Sequence, residues 1–254
     1  MGRTESATLQ QLIAAVQRRW GARALRWLGD TRVTPLAAVP TGFLELDAML
    51  SIGGLPRGRL TELLGTPTSG MTTLALMLLA RAQAAGDLAG YVDLSRTFDA
   101  EQAALLGVDL AALLLIRPTS AADALEIIHT LVASGGIGVL LIDALALLQA
   151  RPSDAALLER ALRALPPVLA QTPCALIALT PLPYTPELTR ALAFTGSLLA
   201  HAAAIRLHIV REAWVAAEHG PPGCHTRVSV LKHQLAAPGS DAQVIIRFPD
   251  EAAP

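Results

Sequence analysis

The 254-residue sequence predicts an α/β fold, a mostly parallel sheet flanked by helices, and three observations carry that prediction. From Thr41 onward short apolar runs alternate with helical patterns, as strands and crossover helices do. The stretch Gly65-Thr66-Pro67-Thr68-Ser69-Gly70-Met71-Thr72 sets two glycines at the spacing of a phosphate-binding loop, between an apolar run and a helical pattern. After residue 180 the runs alternate or lengthen around Gly220-Pro221-Pro222-Gly223, which predicts an antiparallel C-terminal extension.

Composition narrows the function classes. A 52% hydrophobic content is enough for a large buried core, and a net charge of −1 gives no global basic field for nucleic acid. Any contact with DNA is expected to be local. Neither a long uninterrupted apolar run nor a charged-then-apolar leader is present, so the reading is a cytoplasmic protein with no membrane partner. Two distant cysteines, Cys174 and Cys224, form no disulfide framework.

Taken in order, the chain begins with Leu9, Leu12, Ile13, Val16 and Trp20, one stripe of an amphipathic helix that Gly21 ends. Residues 24–28 suit a short strand, and the stretch 29–40, with Pro35 and Pro40, suits a linker. The expected division is therefore an appendage over 1–40 and a core over 41–254. Core strands are expected at 60–64, 89–94, 113–116, 139–143 and 174–180. Helices are expected at 72–85, 99–106, 120–134 and 154–170, the last broken or kinked by Pro166-Pro167. Segments 205–211, 227–233 and 243–248 supply the antiparallel part.

The loop is the strongest chemical signal, because its mechanism requires a strand before it and a helix after it, so that backbone N–H groups face an anion. Thr72 stands at its magnesium position, and Met71 replaces the usual lysine. Val139-Leu140-Leu141-Ile142-Asp143 is an apolar strand ending in a carboxylate, the second element of such sites. Asp93 and Ser95 are expected on one face of another strand. His219, Cys224 and His225 lack a fourth ligand and zinc spacing, so a turn is the better reading.

Several motifs resemble the bacterial RecA recombinase family, in order and spacing. They are Thr41-Gly42-Phe43-Leu44-Glu45-Leu46-Asp47 with Gly53-Gly54-Leu55-Pro56-Arg57-Gly58-Arg59, then Leu106-Gly107-Val108-Asp109 with Leu113-Leu114. Thr226-Arg227-Val228 and Leu231-Lys232-His233-Gln234-Leu235-Ala236-Ala237-Pro238 complete the set. The resemblance implies a RecA-like core, an N-terminal arm that docks on a neighbouring subunit through Leu9, Leu12, Ile13, Val16 and Trp20, and DNA-facing loops after the Asp143 and Thr180 strands. It also implies a nucleotide site of Gly65, Thr66, Pro67, Thr68, Ser69, Gly70, Met71, Thr72, Thr73, Asp99 and Asp143. Thr72 and Asp143 would hold magnesium, and Lys232 would reach a neighbour's nucleotide.

The departures from the family pattern fall where its chemistry lies. Met71 replaces the phosphate lysine, and Ser95 stands where the water-activating glutamate would be, so no catalytic residue is expected. Gln102 falls at an adenine-stacking aromatic position, Thr180-Pro181 replaces an Asn-Gln pair, and Gln234 replaces the second of two lysines. Pro56-Arg57-Gly58-Arg59-Leu60-Thr61-Glu62-Leu63-Leu64-Gly65 also looks like the entry segment of ImuA-type accessory proteins, which work with translesion polymerases. The implied function is a non-hydrolysing RecA-like accessory factor in DNA repair, recombination or SOS damage tolerance. It would bind ATP and magnesium weakly if at all, bind single-stranded DNA weakly, and act on another RecA-fold subunit or a translesion polymerase. The alternative is a divergent DNA-dependent ATPase or recombinase with an unconventional phosphate loop.

Overall fold

A computed structural model describes residues 3–21, 24–25, 36–149, 152–185, 198–216, 222–236 and 238–248. In chain order the elements are α1 (Arg3–Trp20), β1 (Ala38–Val39), α2 (Leu44–Met49), β2 (Leu55–Pro56), β3 (Arg59–Gly65), α3 (Met71–Ala84), β4 (Ala89–Val92), α4 (Ala100–Leu105), β5 (Leu113–Ile116) and α5 (Ala121–Ala133). There follow β6 (Val139–Ile142), α6 (Pro152–Leu169), β7 (Ala175–Pro181), α7 (Leu198–Ala202), β8 (Ile205–Val215), β9 (Gly223–His233) and β10 (Asp241–Arg247).

Two units result, Met1–Pro35 and Leu36–Pro254. In the first, α1 carries Leu9, Leu12 and Trp20 exposed, with Ile13 and Val16 partly so, and Gln17 Nε2 donates to the Leu25 carbonyl at 2.8 Å. Ala24 and Leu25 form a bend, and the rest of the strand expected at 24–28 lies outside the described residues. In the second unit Ala38–Val39 pairs antiparallel with Leu55–Pro56, so the end of the expected linker joins a two-stranded ribbon.

The main sheet has the order β10-β9-β8-β3-β7-β6-β4-β5. β8, β3, β7, β6, β4 and β5 run parallel, and β9 and β10 close the sheet antiparallel. Strand β6 and residues 175–179 of β7 are apolar on both faces, as strands covered by helices on each side are. Along β6, Val139 and Leu141 join the core beneath α3, whereas Leu140 and Ile142 join the core beneath α5 and α6. The turn expected at Gly220-Pro221-Pro222-Gly223 lies largely outside the described residues.

α6 does not break at Pro166 and Pro167; it continues through both to Leu169. Each proline removes one N–H from the helix ladder, but both sit in its last turn. Leu158, Leu162, Leu165 and Leu169, at i, i+4, i+7 and i+11, are all buried, and that apolar stripe holds the turn against the sheet. At the N-terminal edge of the parallel strands Arg57 forms a clasp. Its guanidinium pairs with Asp87 at 2.6 Å and donates to the carbonyls of Gly138 at 3.3 Å and Pro173 at 3.2 Å. A Cβ at position 138 would lie 2.2 Å from the Asp87 carboxylate, so the clasp requires glycine there.

Candidate functional site

At the opposite, C-terminal edge of the parallel strands, β3 turns into α3 through residues 66–70. Open α/β sheets bind ligands at that edge. Thr68 and Gly70 have φ of 63° and 90°, and the Ser69 N–H closes the turn onto the Thr66 carbonyl at 3.0 Å. A Cβ on Gly65 would meet Ser69 Oγ at 2.4 Å, so the first glycine is a packing requirement. Gly70 offers no side chain to the α3 N-terminus, where Ser69 Oγ accepts from the Met71 N–H at 3.4 Å. The remaining first-turn amides have no capping side chain, which is the arrangement that favours an anion.

Met71 starts the helix, but the residue is only 8% exposed and belongs to the apolar core beneath α3. Thr72 is exposed, Thr73 and Ser69 are buried, and Thr66, Pro67 and Thr68 form the outer rim. Two side chains that the sequence did not point to hold that rim from outside. Arg211 Nη1 donates to the Thr68 carbonyl at 2.8 Å, and the Tyr184 hydroxyl donates to the Pro67 carbonyl at 3.4 Å.

Beyond the loop, Asp143 follows β6 and is half-buried. Ser95 Oγ donates to Asp143 Oδ2, and Thr97 Oγ1 donates to the same oxygen at 3.5 Å. Burial pushes the Asp143 carboxyl above its ordinary range, and neighbouring Asp93 pushes the same way. Asp93 and Ser95 do not share a strand face. β4 stops at Val92, and the chain turns through Arg96 at φ 61°. Asp93 points into the interior, fully buried, and binds Arg117 Nε at 2.9 Å and the Thr97 N–H at 3.0 Å. Tyr91 beneath them has its hydroxyl pKa raised by burial and by both carboxylates.

Asp99 caps α4, accepting from the Gln102 N–H at 3.0 Å, and Gln102 is exposed. Thr180 Oγ1 donates to Glu62 Oε1 at 2.8 Å, and Glu62 is buried against Arg206 Nε at 2.5 Å. Lys232 donates within its own chain, to the carbonyls of Ala200 at 2.8 Å and His201 at 3.0 Å that end α7. Burial lowers its pKa, and Arg206 adds to the effect.

The donor set fits magnesium carried by a nucleotide. The Thr72 hydroxyl and Asp143 carboxylate are hard oxygen donors, and no cluster of three or more metal-ligating side chains occurs among the described residues. Phosphate oxygens and water would have to supply the rest of the octahedral coordination. The elements thus define a phosphate-loop α/β domain with a continuous parallel sheet and an antiparallel C-terminal flank.

The family model described as the RecA N-terminal domain matches residues 7–252, and the chain belongs to the RecA family. It is 36% identical over 260 residues to Protein RecA of Clavibacter michiganensis subsp. michiganensis, covering 95% of this chain and 71% of that protein. Protein RecA of Acidothermus cellulolyticus is 36% identical over 259 residues, covering 94% and 74%, and that of Agrobacterium fabrum is 34% identical over 264 residues, covering 96% and 72%.

Proposed function

We propose that this protein is a RecA-family factor of DNA repair and recombination that binds nucleotide weakly without hydrolysing it. Its role is that of a cytoplasmic accessory protein in damage tolerance, working through contacts with a second RecA-fold subunit or a translesion polymerase. The burial of Met71 at the loop's lysine position is the observation that carries this reading. A unit charge about 4 Å from a phosphate oxygen is worth about 4 kcal/mol at an effective dielectric of 20. Helix-end dipoles contribute about 0.3–2 kcal/mol and do not replace it. Ser95 strengthens the reading, since its hydroxyl is directed at Asp143 and is no general base near neutral pH.

The retained Thr72 and Asp143 favour a second reading, a divergent DNA-dependent ATPase with an unconventional loop. A phosphate-release assay on the full chain, with and without single-stranded DNA, separates the two. The proposal expects no turnover above background in either condition. Turnover that rises with DNA would replace it with the second reading.

A further inference from the structure

The loop lacks its own cation, yet one stands on its rim. Arg211 reaches the loop from β8 and donates to the Thr68 carbonyl at 2.8 Å. Its guanidinium carbon lies 4.1 Å from the centroid of the Trp214 ring, a stacking distance for a guanidinium on an aromatic face. Regular strand alternation would put residues 211 and 214 on opposite faces. They meet because Arg211 pairs with Thr226 and Ala213 with His225, leaving Glu212 as an extra residue. Such a bulge re-aims side chains at the rim of a site. Glu212 itself is engaged elsewhere, by Arg227 and by Gln243 Nε2 at 3.3 Å. Among the described residues Arg211 forms no ion pair with a carboxylate.

The geometry points to Arg211 as the cation of this phosphate loop. Held on Trp214 and anchored by one Nη1 contact, it keeps further N–H donors for the polyphosphate of a nucleoside di- or triphosphate. The proposal rests on the reading that the loop binds nucleotide. An arginine suits the position, because a planar fork can hold a backbone carbonyl and a phosphate oxygen together, which an ammonium on a flexible stem does less well.

The test is calorimetric titration of the full chain with magnesium ADP and, separately, with inorganic tripolyphosphate, for the parent, Arg211→Ala and Arg211→Lys. Arg211→Ala should weaken both ligands about tenfold or more and flatten the dependence of binding on ionic strength. Arg211→Lys should fall between the two, which a merely structural loss would not produce. Equal affinities in the parent and Arg211→Ala would overturn the proposal while leaving the nucleotide site standing. A loss confined to ADP, with tripolyphosphate unchanged, would also overturn it, since the guanidinium would then serve the base. Failure of the parent to bind either ligand would end both this proposal and the nucleotide reading beneath it.

Discussion

Ser95 Oγ donates into the Asp143 carboxylate, so the two loops that follow β4 and β6 are tied by a hydroxyl at the position where the RecA resemblance expects a second carboxylate. Ser95→Glu would set two acids side by side, and like charges at that range disfavour joint ionisation. Neither Ser95→Glu nor Met71→Lys alone should yield ATP turnover. Met71→Lys should nonetheless raise nucleotide affinity, because its stem can follow the methionine path while the ammonium reaches the rim. Fluorescent-nucleotide titration beside phosphate release checks both. Turnover by Ser95→Glu alone would refute the assignment of two separate losses.

Asp143 gives a pH dependence with a definite sign. Its folded pKa is raised above the ordinary 3.8 by burial and by Asp93, so the folded state holds the proton more tightly than the unfolded chain does. The group therefore subtracts stability as pH rises through the window from 3.8 to its raised value, and the deficit is complete above that window. Asp143→Asn should raise the thermal midpoint at pH 7, and the gain should vanish as pH falls below the window. Melting curves across that range decide it, and an unchanged or lowered midpoint at neutral pH would contradict the sign.

Glu62 and Arg206 form a buried pair at the middle of the sheet, with Thr180 on the other carboxylate oxygen. Removing one partner of such a pair leaves an uncompensated charge and costs about 3–5 kcal/mol. Arg206→Ala should therefore be among the most destabilising single changes in the core unit. Thr180→Val, which deletes one hydrogen bond to a charged group, should cost about 1.5–3 kcal/mol. Denaturant unfolding measures both. A smaller loss for Arg206→Ala than for Thr180→Val would show that water reaches the pair.

The N-terminal unit is expected to serve assembly. α1 leaves Leu9, Leu12 and Trp20 exposed on its apolar stripe, and burying each such side chain is worth about 1.5–3 kcal/mol. Deleting residues 1–35 should abolish self-association or partner binding and leave the core folded, with circular dichroism reduced only by the helical signal of α1 and a cooperative melt retained. Light scattering that shows the same assembly state after truncation would remove the arm from the interface.

The sequence made β3, α3 and β6 legible because their signals are local: glycines at fixed spacing, and apolar runs of strand length ending in Asp143. Other features depend on partners that no local pattern reveals. Proline in a helical run argues for a break, yet four leucines on one face carried α6 through Pro166 and Pro167. Period-two alternation hides the meeting of Arg211 and Trp214, which exists only because Glu212 is an extra residue against β9. Asp93 read as sharing a strand face with Ser95, whereas an early end to β4 parted the two and left Asp93 buried against Arg117. A signal was present there, an arginine directly after the apolar strand β5, but its partner is set by strand order.

The Arg57 clasp has a mechanical consequence. One guanidinium fastens the approaches to β4, β6 and β7 where those strands begin, next to its own place before β3. The sheet is thus pinned at one end like the ribs of a fan. Strand ends held at that rivet are expected to move less than their far ends, which puts the expected compliance at the far rim, where the phosphate loop, Asp143 and Thr180 stand. A ligand that draws those rib tips together would work against the stiffness of the ribs rather than against the packing at the rivet.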